Sequence, residues 1–469
     1  MPVKPLPIAQ GLYKNIDEKT LKVGNPLMQD CFVDEQGNIH RRPCLVELCD
    51  LGESRPIDGL YWWPEQALAI AVTNTKTFKI TTAAGAYAQL TNDTFQALER
   101  VNFANKGTAL YGANGEKLQG ISTTAVTAMA DADAPTTVSH PAILDRYLLA
   151  NEVGSGNFHH SDVNAPTVWS ANQFEAEAES DKLMALGVAN LEIFLLGGRT
   201  GELWRDDGST PFVRELQGYV QSGTLAKHSL TWCDGTWVWL DENRQVVMLE
   251  GRQVRVISLA INDYLQGFGI TTDALGDFIL YRGRPFYVLT FPSDEKTLAY
   301  DFLAKFWYEW GRWHPLNSEY DRWPGNCSCL AEAWGTTLIG DKTTSKIYKL
   351  DPNTHQDDGD IVRVAIRTPP IDWGTVARQK RCDRLYFKVK GKNVQAGTTY
   401  QIMMRYRDDG ADSWSNERLV NFHSAGKNLI RSVQRRLGQY YTRQWEFAVT
   451  DNVEFVLMGI EEDFEVLRK

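Results

Sequence analysis

An apolar, aromatic hairpin pattern returns at nearly constant spacing through the middle of this chain, and it limits the fold more than any other feature. Copies begin at Gly59 (GLYWWPEQALAIAVTNTKTFKI), Val101, Ala142, Leu183, His228, Phe278 and Cys329. The starts lie 42, 41, 41, 45, 50 and 51 residues apart. A period of about 40–50 residues with several short strands per unit predicts a β-propeller, because one such unit can bury its apolar faces only against its neighbours. No WD dipeptide or kelch-type double glycine recurs, so the repeats are degenerate. The expected class is all-β: a degenerate β-propeller of six or seven blades, followed by a C-terminal β-sandwich. Two stacked sandwiches are the alternative, which the spacing fits less well.

Each copy has the same local mechanics. A short apolar strand ends in a turn such as Asp234-Gly235, Arg282-Gly283 or Trp334-Gly335, and a second apolar strand follows. Gly, Asn and Asp at these turns supply the positive φ of a tight reversal. A polar turn then leads to a third strand. The copy from Phe278 also shows an outer strand, Lys305 to Trp310, with Phe306, Tyr308 and Trp310 alternating on one face. Helix is scarce. The candidates are Ser170 to Met184, for its Ala and Glu content, and Ile257 to Leu265.

The chain start differs from the repeats. Residues 1–50 are expected to form an N-terminal arm, with a hairpin at Cys31 to Ile39, that closes onto a propeller at 51–360. Past residue 360 the blade pattern stops. Residues 361–469 are expected to form a β-sandwich for docking or oligomerisation, with six strands. These are Val362 to Ile366, Asp383 to Val389, Tyr400 to Arg405, Glu417 to Asn421, Gln444 to Val449 and Glu454 to Met458.

Charge is unevenly spread. The 469 residues carry a formal charge of −10, yet residues 376–445 hold 15 Lys plus Arg against 5 Asp plus Glu. That segment is at +10, which leaves −20 for the rest. A patch of one sign on a body of the other is an electrostatic footprint for an acidic partner surface or for phosphate. The seven Cys are scattered and odd in number, which argues against a disulfide framework. No apolar run approaches the roughly 20 residues of a membrane span. The start, MPVKPLPIAQGLYKN, lacks the apolar stretch of a secretory signal, so synthesis and use in a cytosol are expected.

Few motifs offer chemistry. The turn that holds Asp408, Asp409, Gly410, Asp412, Ser413 and Trp414 looks like the Asp box of sialidase propellers, where the motif is a structural hairpin. Short acceptor side chains in such a turn satisfy backbone N–H groups, so the expected role is architectural. A calcium turn would need more converging carboxylates. A glycosidase would need two carboxylates facing a cleft, or a Tyr backed by Glu, and the sequence places none together. Cys327 and Cys329 are alternate residues of one strand, with no second ligand pair at zinc spacing. His159-His160 reads as a surface loop, and Gly197 to Gly201 as a blade hairpin without the Lys of a phosphate loop. Arg431, Arg435, Arg436 and Arg443, interleaved with Tyr440 and Tyr441, form a candidate protein interface. A solvated sandwich face and a DNA contact rank behind it. No catalytic residue, metal or cofactor is expected.

Three stretches carry a resemblance. One is Arg405 to Trp414, followed by Arg435-Arg436-Leu437-Gly438. A second is Val449-Thr450-Asp451-Asn452-Val453 with Leu457-Met458-Gly459. The third runs from Leu298-Ala299-Tyr300-Asp301 through Phe306-Trp307-Tyr308-Glu309 to Ile347-Tyr348-Lys349-Leu350-Asp351. They resemble the tail-hub or nozzle proteins of short-tailed bacteriophages, also called packaged-DNA stabilisation proteins. Cys44 after Pro43 departs from the Gly of that pattern. The resemblance implies a non-enzymatic virion part, made in the host cytoplasm and placed in the virion tail. It implies a homo-oligomeric ring, a hexamer, below the portal and its head-to-tail adaptor. Such a ring carries a tail fibre or spike, and packaged DNA is retained and later ejected through its lumen without sequence-specific binding. The rival readings are a receptor- or glycan-binding tail propeller and, behind it, a propeller glycosidase.

Overall fold

The computed structural model describes residues 3–8, 27–92, 94–96, 99–176, 181–208, 211–391, 398–422 and 429–467. Among them the one α-helix, Asn262–Gln266, is five residues long. Of the helix expected over Ser170 to Met184, residues 177–180 lie outside the described residues, and the rest includes the end of the strand Ala165–Glu175 and the start of Leu183–Ala189. Packing decides this against propensity. Trp169 is buried in one inter-sheet core, and Phe174 packs against the next.

Seven four-stranded sheets follow one another along the chain. Their first strands are Gly59–Trp63, Asn102–Lys106, Pro141–Leu144, Leu183–Ala189, Thr231–Cys233, Leu275–Tyr281 and Gly325–Ala331. Within each sheet the pairing is antiparallel, and it follows chain order until the last strand of the seventh. Successive sheets meet along these first strands or the turns that lead into them, and the seventh meets the first. The result is a closed propeller. The turns behave as their residues require: φ is 47° and 83° at Asp234-Gly235, and 51° and 76° at Arg282-Gly283.

An apolar core fills each gap between blades, and the one between the sixth and seventh is continuous with the sandwich core. Trp62, Phe78, Leu338 and Ile347 lie between the seventh and first blades. Trp63, Ile70, Phe95 and Leu110 lie between the first and second. Tyr287, Leu298, Tyr300 and Trp307 lie between the fifth and sixth. Burying each large side chain contributes about 1.5–3 kcal/mol. The strand Phe306–His314 splits its rings as alternation demands. Trp307 joins the core toward the fifth blade, whereas Tyr308 and Trp310 face the other way.

The expected N-terminal arm divides between two destinations. Cys44–Asp50 supplies the fourth strand of the seventh blade, with Leu45 opposite Leu350 and Asp50 opposite Lys346. The ring is thus closed by strands from opposite ends of the propeller sequence. Leu27–Gln29, Cys31–Val33 and Ile39–Arg41 belong instead to the sandwich.

The sandwich has two sheets. The first orders Cys31–Val33, Ile39–Arg41, Val456–Val466, Lys380–Lys390 and Leu429–Arg435, with Val3–Pro5 and Gln439–Tyr440 attached. The second orders Leu27–Gln29, Val364–Arg367, Arg443–Val449, Gln401–Asp408 and Arg418–Asn421. It continues into the sixth blade through a parallel pairing of Gln29 with Glu309, which makes one ten-stranded sheet. Leu429–Arg435 was not among the expected strands, because its outward positions mix Leu429 and Val433 with Arg431 and Arg435 and its inward ones include Ser432, which blurs the alternation. One core runs from Phe286 and Trp310 of the sixth blade through Leu350 of the seventh into Phe387, Phe447 and Phe455 of the sandwich. Propeller and sandwich therefore share both a sheet and a core.

At this junction Arg42 is fully buried. Its Nε donates to Asp30 Oδ1 at 2.7 Å, and its Nη2 to Asp357 Oδ2 at 2.5 Å. The remaining donors reach the carbonyls of Pro43 and Gly311, each at 2.9 Å. Asp30 also accepts the Gly311 N–H at 2.8 Å, and Asp357 the Leu45 N–H at 3.0 Å. Burial raises the Asp30 carboxyl to about 6 against the lowering pull of Arg42. Arg42→Met would strand two carboxylates in the interior. The expected loss is about 3–5 kcal/mol in urea unfolding. A loss below about 1 kcal/mol, typical of an exposed pair, would contradict this role.

Candidate functional site

Three places gather polar side chains, and the first is the propeller axis. Arg100, just before the second blade, donates to Asp277 Oδ1 at 2.5 Å and Oδ2 at 3.1 Å, on the first strand of the sixth blade. Asp277 also accepts Ser328 N at 2.9 Å from the seventh. Glu99 Oε2 pairs with Lys227 at 2.6 Å and His228 at 3.3 Å, which precede the fifth blade. The His228 ring stacks on His140, at the start of the third, with centroids 5.4 Å apart. Side chains from five blades meet here, so among the described residues the ring's own axis is filled.

Charge on this plug is held in a definite state. Burial alone would raise the Glu99 carboxyl, but its bonds to His228 and Lys227 hold it at about 2. Burial pushes the His140 imidazole well below its usual value, and the neighbouring His228 adds to that. Burial also lowers His228, against the opposing pull of Glu99.

The second place is the acidic turn of the sandwich. Asp409 takes φ of 52° and Gly410 of 76°. Asp409 Oδ1 accepts the N–H groups of Tyr441 at 2.9 Å and Thr442 at 2.7 Å. These amides belong to the neighbouring turn, so Asp409 ties two turns together. Asp408 receives Arg443 bidentately, at 2.6 and 2.7 Å. Asp412 and Ser413 are exposed. Trp414 sits among the guanidinium groups of Arg407, Arg405 and Arg367, at 4.9, 5.0 and 5.2 Å from its ring centre.

The candidate interface residues divide by burial. Arg431 and Arg435 stand on the outward face of the first sandwich sheet, and Arg436 and Tyr441 are exposed beside it. Tyr440 and Arg443 are each only 1% exposed, which corrects their placement at an interface. Tyr440 donates to Glu462 at 2.7 Å, and Arg443 lies 4.0 Å over the Tyr406 ring. Period-two alternation had assigned them no side, because the short strand Gln439–Tyr440 and the turn after it reset the register. On the outward face Arg384 lies opposite Arg435, and Lys388 opposite Arg431. Like charges directly opposite one another are destabilising. Asp463 opposite Arg384, and the Tyr386 ring 4.4 Å under Arg431, offset part of that.

The third place is a groove that sequence reasoning missed. It measures about 740 Å³ and lies where the sixth blade meets the second sandwich sheet. Strand register builds its cationic wall. Glu446 has Arg367 on one neighbouring strand and Arg405 on the other as its cross-strand partners. Arg367 Nη2 reaches Glu446 at 2.7 Å, Arg405 Nη2 at 2.6 Å, and Arg363 at 3.5 Å. The arginines outweigh burial, so the Glu446 carboxyl stays below its usual range. The signal was present as alternation in Arg363-Val364-Ala365-Ile366-Arg367 and Arg405-Tyr406-Arg407, but the strand pairing was not.

The remaining motifs are structural. Cys327 is buried in the core between the seventh and first blades, and Cys329 packs against it. His159 and His160 lie on the strand Asn157–Asp162 and not in a loop. His160 is buried beside Tyr147 and Phe212, and His159 is 3.7 Å from Glu152. Gly197 to Gly201 is the turn between two strands of the fourth blade. Among the described residues no group of three or more His, Cys, Asp or Glu gathers as a metal site.

Comparison with known proteins matches residues 25–355 to a family model described as "Bacteriophage P22 Gp10, beta-propeller" (Phage_stabilise). No curated protein matches the chain. Among solved structures, it is similar to the extracellular domain of a one-component system, BT4673, of B. thetaiotaomicron. The identity is 9%, the TM-score 0.44, and the coverage 86% of this chain and 62% of that one. A second structure, the extracellular domain of a hybrid two-component system BT4673 of B. thetaiotaomicron, gives 8% identity and a TM-score of 0.45, covering 87% of this chain and 58% of that one. The chain thus spans less than two thirds of either.

The axial plug sets a pH dependence. His140 and His228 prefer the neutral form when folded, so the unfolded chain binds more protons as pH falls below the ordinary His value of 6.5. Glu99 acts with the same sign between its ordinary 4.5 and about 2. The stability these groups contribute is present above pH 6.5 and lost as pH falls. Asp30, raised to about 6, acts with the opposite sign in this window, so the plug's share is read from the variant. Between pH 7.5 and pH 5, the melting temperature of His140→Phe should fall less, or rise more, than that of the natural chain; the same change in both would refute this.

Proposed function

The chain belongs to the family of the bacteriophage P22 Gp10 β-propeller, and from that premise we propose that it is a non-enzymatic structural subunit of a phage tail hub. In this reading several copies form a ring, a hexamer, below the portal and its adaptor. The ring retains packaged DNA, carries a tail fibre or spike, and borders the ejection conduit. The chain is built in the host cytoplasm and works in the virion tail.

The family match over residues 25–355, which span the propeller and most of the N-terminal segment, carries the reading. Two physical features support it. The filled propeller axis means that a conduit has to form between copies rather than through one. The net acidity outside residues 376–445 suits a surface that DNA passes without adhering, since Lys and Arg contacts would hold phosphate. A closed ring joins two different faces of each subunit. The outward Arg384, Lys388, Arg431 and Arg435 form one such face, because their mutual repulsion is relieved by an acidic neighbour.

The reading is tested by reversing Arg435 and Arg436 to Glu in the full chain. Both side chains are exposed, so the monomer should keep its melting temperature. Native mass spectrometry at physiological salt should show a ring for the natural sequence and monomers for the variant, or failure to dock on portal-adaptor complexes. Normal assembly of the variant would defeat the proposed docking face.

A further inference from the structure

The groove between the sixth blade and the sandwich has as many cationic as anionic side chains in its lining, but its arginines gather on the sandwich wall. Arg367, Arg405 and Arg407 crowd around Trp414 while Arg363 lies 4.6 Å over Trp313, and among the described residues Glu446 is the one carboxylate that ion-pairs with members of this set. Arg407 instead donates to the neutral Gln444 at 2.7 Å. Burial, and then the neighbouring Arg367, push the Arg407 guanidinium down against the pull of Asp412 and Glu446. Arg367 and Arg405 spend Nε and Nη2 on Glu446. No hydrogen bond among the described residues uses Nη1 of either. Their side chains are 25% and 36% exposed, so these donors are reachable from the groove.

We propose that this groove binds a carboxylate-bearing saccharide. A sugar carboxylate would take the free Nη1 donors of Arg367 and Arg405, which converge from the two strands that flank Glu446. The opposite wall brings Glu319 and Glu309, the latter 3.3 Å from Lys296, and Glu417 stands beside Arg405 on the sandwich sheet; these carboxylates can accept sugar hydroxyls but would repel a multiply charged phosphate. Trp313 and Tyr320, whose rings lie 4.7 Å apart, supply an aromatic wall for the C–H faces of a pyranose. Gln29 adds a buried Nε2 with no partner at the groove's inner end. An acidic peptide would satisfy the arginines but has few hydroxyls to offer the glutamates.

The test uses the full chain and does not depend on ring formation, so its failure leaves the tail-hub reading standing. Titration calorimetry with trigalacturonate at neutral pH should show binding. The methyl ester of the same trisaccharide should bind at least about tenfold more weakly, since a charge-assisted bond is lost. Arg405→Gln, checked for an unchanged melting temperature, should weaken trigalacturonate to the same degree, whereas Arg431→Gln on the far sheet should not. Equal binding of acid and ester would overturn the proposal. So would displacement by hexaglutamate or inorganic phosphate at equal concentration, or no binding of trigalacturonate, glucuronate or N-acetylneuraminate.

Discussion

Arg42 is a cation buried between two carboxylates at the point where three parts of the chain meet. Asp30 precedes the sandwich hairpin, Gly311 lies on the outer strand of the sixth blade, and Asp357 lies between the seventh blade and the sandwich. A buried guanidinium is tolerated only when its donors are met, and here every arm of the fork has a partner. That requirement fixes where the N-terminal segment must turn. Two residues later the chain enters Cys44–Asp50 and closes the ring, with Leu45 held by the same Asp357. Ring closure and sandwich attachment are thus set by one cluster. The shared sheet and the shared core extend that coupling from a point to a surface.

The consequence is a body with little internal freedom and two differently charged surfaces. Among the described residues its axis is plugged by Arg100–Asp277 and by the Glu99, Lys227 and His228 group. Arg384 and Lys388 face outward from the sandwich opposite Arg435 and Arg431, where their charges repel within the chain. A protein of this kind acts through what it touches. Membership of the P22 Gp10 propeller family agrees with that character, since that family is a structural one of phage.

Much of the propeller was legible because its signals are local. Turn residues such as Asp234-Gly235 adopt the backbone their chemistry favours, and the alternation of Tyr308 with Trp310 survives into the core. What was hidden depends on pairing between distant segments. Nothing in Cys44–Asp50 reveals that its partner is Lys346–Asp351, and the helix-like composition after Ser170 says nothing of the aromatic cores on either side. The acidic turn was recognised, but its Asp409 serves the turn at Tyr441 and Thr442 instead of its own amides. Arg443 read as part of a basic surface run, yet its bidentate bond to Asp408 takes it inside. The arginine groove was missed because it forms only when three strands fall into register around Glu446.

The central claim is that propeller and sandwich are one cooperative unit, joined at the Arg42 cluster. Native-state hydrogen exchange in rising urea tests it directly. Amides of Cys44–Asp50 in the seventh blade and of Val364–Arg367 in the sandwich should share one opening free energy, equal to that of global unfolding. Exchange of the sandwich amides through a distinctly cheaper opening, while the seventh blade stays protected, would contradict the account.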